Sequence, residues 1–325
     1  MKKYTLLTLS LTFSLTFSLT FFLFCHAVFA GGTATYLDEN HPLVNKIWDV
    51  KKQQFVHKTN VASALLEANY IFLGESHDNP IHHELQNWAL NKLINAKLKP
   101  GVAFEMLNNE QLKKVDLNTI NTADALFDAV DWEASGWPAR ALYDGLFQSV
   151  IEAKLAIYSA NLPVLALREV ISQSKAPSGE IQQLLNDRPL SDDESRSMLE
   201  ELNESHCNML PERHIAGMIT GQRVRDAIMA LSLLNHSEAT PAVLIAGKAH
   251  GRLDRGAPTF IHQRQPAAKT LSIGWHEVQT ELLTPQDYAE IWHAKTLPFD
   301  YIWFTPRLDR PEPCDEIKRF INQKK

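Results

Sequence analysis

The stretch NYIFLGESHDNPIHHELQ, from Asn69 to Gln86, restricts the possible folds more than any other. Tyr70, Ile71, Phe72 and Leu73 form an apolar run closed by Gly74, the pattern of a strand buried on both faces, although so short a run also suits a fragment of buried helix. Glu75, Ser76, His77 and Asp78 follow at once, all able to titrate, hydrogen-bond or bind metal. Asn79 then offers an N-cap and Pro80 a first helical residue, so the next segment reads as a helix with Ile81, Leu85, Trp88, Ala89 and Leu93 on its buried face. A strand, a polar turn and a helix in that order place the turn where open α/β sheets bind ligands, outside the carboxyl end of a strand.

The same alternation continues downstream. Gly101 to Phe104 is a second short apolar run, ending in Glu105; Pro163 to Leu167 reads as a third; Ala242 to Gly247 is the clearest buried strand and runs into Lys248-Ala249-His250; Thr270 to Ile273 and Tyr301 to Phe304 complete the set. Before the first run, residues 31–68 form an opening segment with Ile47, Trp48, Phe55 and Val56 as packing residues and a short helix at Val61 to Ala68. Thr122 to Ala160 reads as helical, interrupted at Ser135-Gly136-Trp137-Pro138, with Pro138 starting the helix that carries Tyr143, Leu146, Phe147 and Val150 and with its aromatics in the core. Short strands separated by helical patterns imply an α/β fold of three layers with a parallel-dominated central sheet.

Residues 171–238 differ: they are polar, rich in helix formers and without a strand, and read as a helical insertion on the sheet. Ser191-Asp192-Asp193-Glu194 matches a capping box opening a helix toward Asn203, and a longer helix runs from Pro211 to Leu234. This region holds Met198, Met209, Met218 and Met229, which at helical spacing read as core filler before they read as haem ligands.

Residues 1–30 have the anatomy of an export signal: Lys2 and Lys3, an apolar Leu6 to Phe24, and Val28-Phe29-Ala30 before Gly31. The apolar run exceeds the usual ~7–15 residues, which leaves an uncleaved anchor as the alternative. Phe24 is too bulky to precede a lipidated cysteine, which argues against lipidation at Cys25. The remaining residues, 31–325, read as one domain in the periplasm or cell envelope, where Cys207 and Cys314 either pair or stay as buried thiols. With 325 residues, a net charge of −6 and 45% hydrophobic residues, the chain has ample core and no basic stripe, which sets nucleic-acid binding aside.

Familiar catalytic signatures fail on named residues. His83-Glu84 begins a zincin motif, but Asn87 replaces its second histidine; Gly74-Glu75-Ser76-His77-Asp78 lacks the last glycine of a nucleophile elbow; and no P-loop, dinucleotide turn or covalent haem attachment motif occurs. A matched pair remains: Gly74-Glu75-Ser76-His77 and Gly247-Lys248-Ala249-His250, both G-x-x-H beyond a strand. If those strands are neighbours, Glu75, His77, Glu105 and His250 converge at one sheet edge, a set suited to a divalent metal ion or to acid/base catalysis.

Several blocks in order carry a wider resemblance: LGESHDNPIHHELQ, FEM at Phe104 to Met106, GWP with a following Tyr143, SHCNMLP at Ser205 to Pro211, QRVRDAIMA at Gln222 to Ala230, and LIAGKAH with DRGAP up to Pro258. Through them the region from Ala68 to Ile261 resembles the ChaN-type haem-binding proteins, distant relatives of the erythromycin esterases and TIKI proteases. Lys248 and Gly251 depart from the small or polar residue and the aliphatic one expected there. The resemblance implies an exported, non-enzymatic protein of haem and iron uptake, working with outer-membrane uptake machinery. It further implies a homodimer holding two stacked haems, with a tyrosine on the iron and the partner's histidine nearby. Tyr143 and Tyr158 are then the ligand candidates, and His206 or His214 the histidine. Many members are lipoproteins, from which the poor lipobox here departs. The enzymatic relatives keep a metal-dependent hydrolase, using Glu75, His77, Glu105 and His250, as the alternative.

Overall fold

A computed structural model describes residues 34–235, 241–312 and 314–315; the export-signal reading lies outside them. The chain opens with β1 (Tyr36–Leu37), β2 (Ile47–Asp49), β3 (Gln54–Val56), α1 (Lys58–Glu67) and β4 (Tyr70–Glu75). It continues through α2 (Pro80–Asn95), β5 (Gly101–Asn108), α3 (Asn109–Leu112), α4 (Ala123–Ala129), α5 (Asp144–Glu152) and β6 (Ile157–Asn161). Four helices follow, α6 (Val164–Gln173), α7 (Glu180–Asp187), α8 (Asp192–Ser205) and α9 (Glu212–Asn235). The chain then forms β7 (Ala242–Gly247), α10 (Ala257–Arg264), β8 (Thr270–Glu277), α11 (Tyr288–Ile291), β9 (Tyr301–Thr305) and β10 (Arg307–Leu308).

Eight strands make one sheet in the order β3-β2-β9-β8-β4-β7-β5-β6, parallel from β9 to β6 and antiparallel at β2 and β3. Its two faces carry separate apolar cores, so the expected three-layer α/β architecture is present. Ile71, Leu73, Phe104 and Ile245 point to the face covered by α1, α2, α4 and α5. Phe72, Ala103 and Leu244 point to the other, covered by α6, α7, α9 and α10. Alternate residues of one strand serve opposite layers, which is why these strands read as unbroken apolar runs rather than alternating ones. The helical stretch after β6 therefore supplies a layer of the sandwich: Val224, Ala227, Ala230 and Leu233 of α9 lie on the sheet.

Local signals hold where they were strongest. Asn79 Oδ1 accepts the Ile81 N–H at 2.9 Å and caps α2, and the Ser191–Glu194 box opens α8. Three expectations are corrected. Pro163 to Leu167 is not a strand: Pro163 caps α6, whose buried residues Leu167, Val170 and Ile171 follow helical spacing. The third parallel strand is instead Ile157–Asn161, inside the stretch read as helical, because α5 stops at Glu152 and Lys154 turns the chain at a left-handed φ of 52°. Lys154 is not glycine, so the break left no mark in the sequence. Finally, α2 buries His82, His83 and Gln86 along with Ala89, Leu90 and Leu93, while Ile81, Leu85 and Trp88 are only half-buried. In the opening segment Ile47 and Trp48 are buried but Phe55 is exposed.

Cys207 and Cys314 form a disulfide with a Cα–Cα distance of 5.5 Å, closing a separation of 107 residues and tying the α8–α9 connection to the chain beyond β10. So long a loop restricts the unfolded chain strongly. Thiol titration of unfolded, unreduced protein is expected to find neither thiol free, and Cys207→Ser to lower unfolding stability by about 2–5 kcal/mol in urea titrations. Two reactive thiols with unchanged stability would contradict the pairing.

Candidate functional site

The two G-x-x-H segments are neighbours. β4 pairs with β7 in parallel with Glu75 opposite Gly247, and β5 lies on the other side of β7. Their carboxyl ends therefore bring Glu75, His77, Glu105 and His250 together at one sheet edge. This closeness requires glycine at 74, while at 247 an added Cβ would press on the His77 ring. A Cβ on Gly74 would lie 2.7 Å from the Lys248 backbone, and one on Gly247 would lie 2.9 Å from His77 Nε2.

Glu75 is the centre of the cluster. It is 1% exposed, with His77 Nδ1 at 2.7 Å from Oε1 and the Tyr143 hydroxyl donating to the same oxygen at 3.0 Å. His83 Nδ1 stands 3.1 Å from Oε2, a charge contact rather than an aligned hydrogen bond, since Oε2 has no aligned donor. Burial alone would raise the Glu75 pKa, but His83 and His77 outweigh it and hold the carboxyl far below the usual range. His83 responds in kind: burial disfavours its charge, yet Glu75 raises its pKa. Its Nε2 also meets the His77 carbonyl at 3.0 Å, which fixes the turn.

A second carboxylate organises the adjacent strand. Glu105 pairs through Oε1 with Arg225 of α9 and accepts the Gly247 N–H through Oε2 at 2.7 Å. Against the upward push of burial, Arg225 foremost and then His250 and His77 hold its pKa well down. His77 Nε2 lies 3.7 Å from Glu105 Oε2, so this imidazole sits between the two carboxylates, with 31% of its side chain exposed. His250 Nδ1 is 2.5 Å from Asp226 Oδ1, with Gln222 Nε2 at 3.2 Å. Burial would lower the His250 pKa, but Glu105 and then Asp226 raise it.

The sequence reading missed His83, Arg225 and Asp226. Their signal was present but weak: Gln222, Arg225 and Asp226 recur at helical spacing along a helix that otherwise packs small and apolar residues on the sheet. His82 and His276 are a different case. Both are buried, and both are driven down, first by burial and then by Lys248, His276 to about 3. Neutral at ordinary pH, they hold backbone: His82 Nδ1 accepts the Ser76 N–H at 2.8 Å.

Chemically, the edge can hold and move protons: His77 is half-exposed, oriented by Glu75, and backed by Glu105. It does not fit a metal centre. Among the described residues no three His, Cys, Asp or Glu side chains are arranged to hold a metal ion. Glu75 Oε1 is saturated by His77 and Tyr143, and Glu105 is neutralised by Arg225. The metal-binding reading of Glu75, His77, Glu105 and His250 gains no support from this arrangement.

A haem ligand must present its oxygen or nitrogen beside an accessible apolar face. Tyr143 does not. It is fully buried, its hydroxyl donates to Glu75, and burial and that carboxylate hold its proton on well above the ordinary tyrosine range. In this arrangement it is a prop for Glu75. Tyr158 is half-buried on β6, packed toward the α9 layer. His206 closes α8, with Nδ1 at 2.7 Å from the Leu202 carbonyl, and His214 lies in the first turn of α9. Exposed apolar surface occurs at Val164 and Leu165 of α6 and at Met209 between α8 and α9.

A protein family described as haem-binding uptake, Tiki superfamily, ChaN, matches residues 61–261. Among solved structures, ChaN of Campylobacter jejuni, described with cofacial haem binding, shares the fold at a TM-score of 0.63 and 20% identity, over 82% of this chain and 97% of that one. An erythromycin esterase, EreC, aligns at a TM-score of 0.42 and 10% identity over 84% and 99% of the two chains. The type III effector HopBA1 aligns at 0.42 and 12% over 77% and 93%. No curated protein matches the chain by sequence.

The Glu75 pair has a measurable consequence. A carboxylate whose folded pKa is depressed adds stability that is fully present above its unfolded value, about 4.3, and is lost as pH falls toward the folded one. Glu75→Gln is expected to cost about 3 kcal/mol near pH 6, since it strands His83 in the interior. The gap between wild type and variant should shrink as pH falls below about 4, read from urea midpoints across pH. A gap that is constant with pH would show that Glu75 carries no charge inside.

Proposed function

Because the chain belongs to the haem-binding uptake family of the Tiki superfamily that includes ChaN, we propose that it is an exported haem-binding protein serving haem and iron uptake, and that it takes up haem as a homodimer. The family match across residues 61–261 carries this reading. The Cys207–Cys314 disulfide supports export, because such bonds persist in oxidising compartments outside the cytosol. The signal-like segment at residues 1–30 supports it too.

The ligand is sought outside the Glu75 cluster. Ferric iron favours phenolate, and with Tyr143 committed to Glu75, Tyr158 is the phenol we assign to the metal. The exposed Val164, Leu165 and Met209 supply apolar surface for a porphyrin face, and His206 or His214 is the histidine offered across a dimer. The cofacial haem pair of the Campylobacter jejuni protein supports the dimeric arrangement by analogy of fold.

Hemin titration of the oxidised protein is expected to shift the Soret band and, by analytical ultracentrifugation, to move the chain into dimers. Tyr158→Phe should lose the phenolate charge-transfer band, whereas Tyr143→Phe should keep it. An unshifted Soret band in the wild type would refute the reading.

A further inference from the structure

Beside the polar edge lies a cavity of about 320 Å³, between the ends of β5 and β6, the segment after α4, and α6. Its walls include the buried side chains of Met106, Val130 and Leu167, with Trp137 on one side. Trp137 also meets the His77 ring at 5.0 Å, so the cavity borders the cluster while being walled mainly by apolar groups. Its volume falls at the low end of the roughly 300–1,000 Å³ usual for small-molecule sites.

Charged groups are placed unevenly around it. Arg225, itself 6% exposed, lines the inner wall, where Glu105 already neutralises it. Of the other charged lining residues, Lys114 and Arg168 are cations and Asp131 an anion, so one positive charge remains in excess. Arg168 Nε is buried without a hydrogen-bond partner. Leaving a buried guanidinium donor unmatched is unfavourable, and a carboxylate is the group whose geometry matches that fork. The apolar walls call for a hydrocarbon body behind it, and the single excess charge for a monoanion rather than a phosphate.

We propose that this cavity is a binding site for a small organic monocarboxylate with an apolar body, meeting the surface proposed for haem only at Val164 on its rim, its carboxylate held by Arg168 and its body by Met106, Leu167 and Trp137. Such a ligand, seated against Trp137, would be separated from His77 by that one ring and could report its presence through it to the Glu75–Glu105 edge.

Isothermal titration of the intact, oxidised protein with hexanoate and with hexanamide tests this. Hexanoate should bind about tenfold more tightly than the neutral amide, and Arg168→Gln should remove that preference while leaving hexanamide binding and the thermal midpoint unchanged. Leu162→Trp, which fills the cavity from its wall, should abolish binding of both. Hemin titration of Arg168→Gln should match wild type. Equal binding of acid and amide, or an unaltered preference in Arg168→Gln, would overturn the proposal. Loss of hemin binding together with hexanoate binding would also overturn it, because the cavity would then be serving haem carboxylates.

Discussion

An ionised carboxylate held in a protein interior has to be matched there, and Glu75 sets the terms for everything around it. Its burial at the carboxyl end of β4 requires partners from three directions: the His77 imidazole from the turn, the charge of His83 from α2, and the Tyr143 hydroxyl from the start of α5. Those three fix where the turn goes, how α2 is rotated and where α5 begins. Glu105 repeats the device one strand removed, tying α9 to the sheet through Arg225 and reaching β7 through the Gly247 N–H. Two buried carboxylates thus lock four elements to one sheet edge, a stronger constraint on register than apolar packing alone provides.

This account also explains what could be read from the sequence. The β4–turn–α2 unit and β7 were legible because strand runs ending in glycine, an Asn-Pro helix start and a matched G-x-x-H are local signals. The paired edge was legible as a conditional, and β4–β7 pairing satisfied the condition. The rotation of α2 was not legible, since His82, His83 and Gln86 count as polar in any periodicity argument and become interior only through partners on other elements. The β6–α6 boundary failed for a related reason. Val164-Leu165-Ala166-Leu167 is equally apolar as strand or helix, and the choice is made by Ile157–Asn161 having already taken the edge of the sheet. Arg225 and Asp226 were hidden likewise, two charges on a helix whose remaining buried face is small and apolar.

The conspicuous edge is a network of two buried carboxylates held by His77, His83 and Arg225, with its tyrosine committed to one of them. Haem binding is the property of the family to which the chain belongs, and we propose that it draws on surface apart from this edge. The cavity between Trp137 and Arg168 borders this edge through Trp137, whose ring meets that of His77.

Crystals of the protein grown with hemin, with the iron located by its anomalous scattering, test this separation most directly. The account expects the iron bonded to a phenolate outside the Glu75 cluster, with Tyr143 still donating to Glu75. Iron within bonding distance of Tyr143, His77 or Glu105 would contradict it.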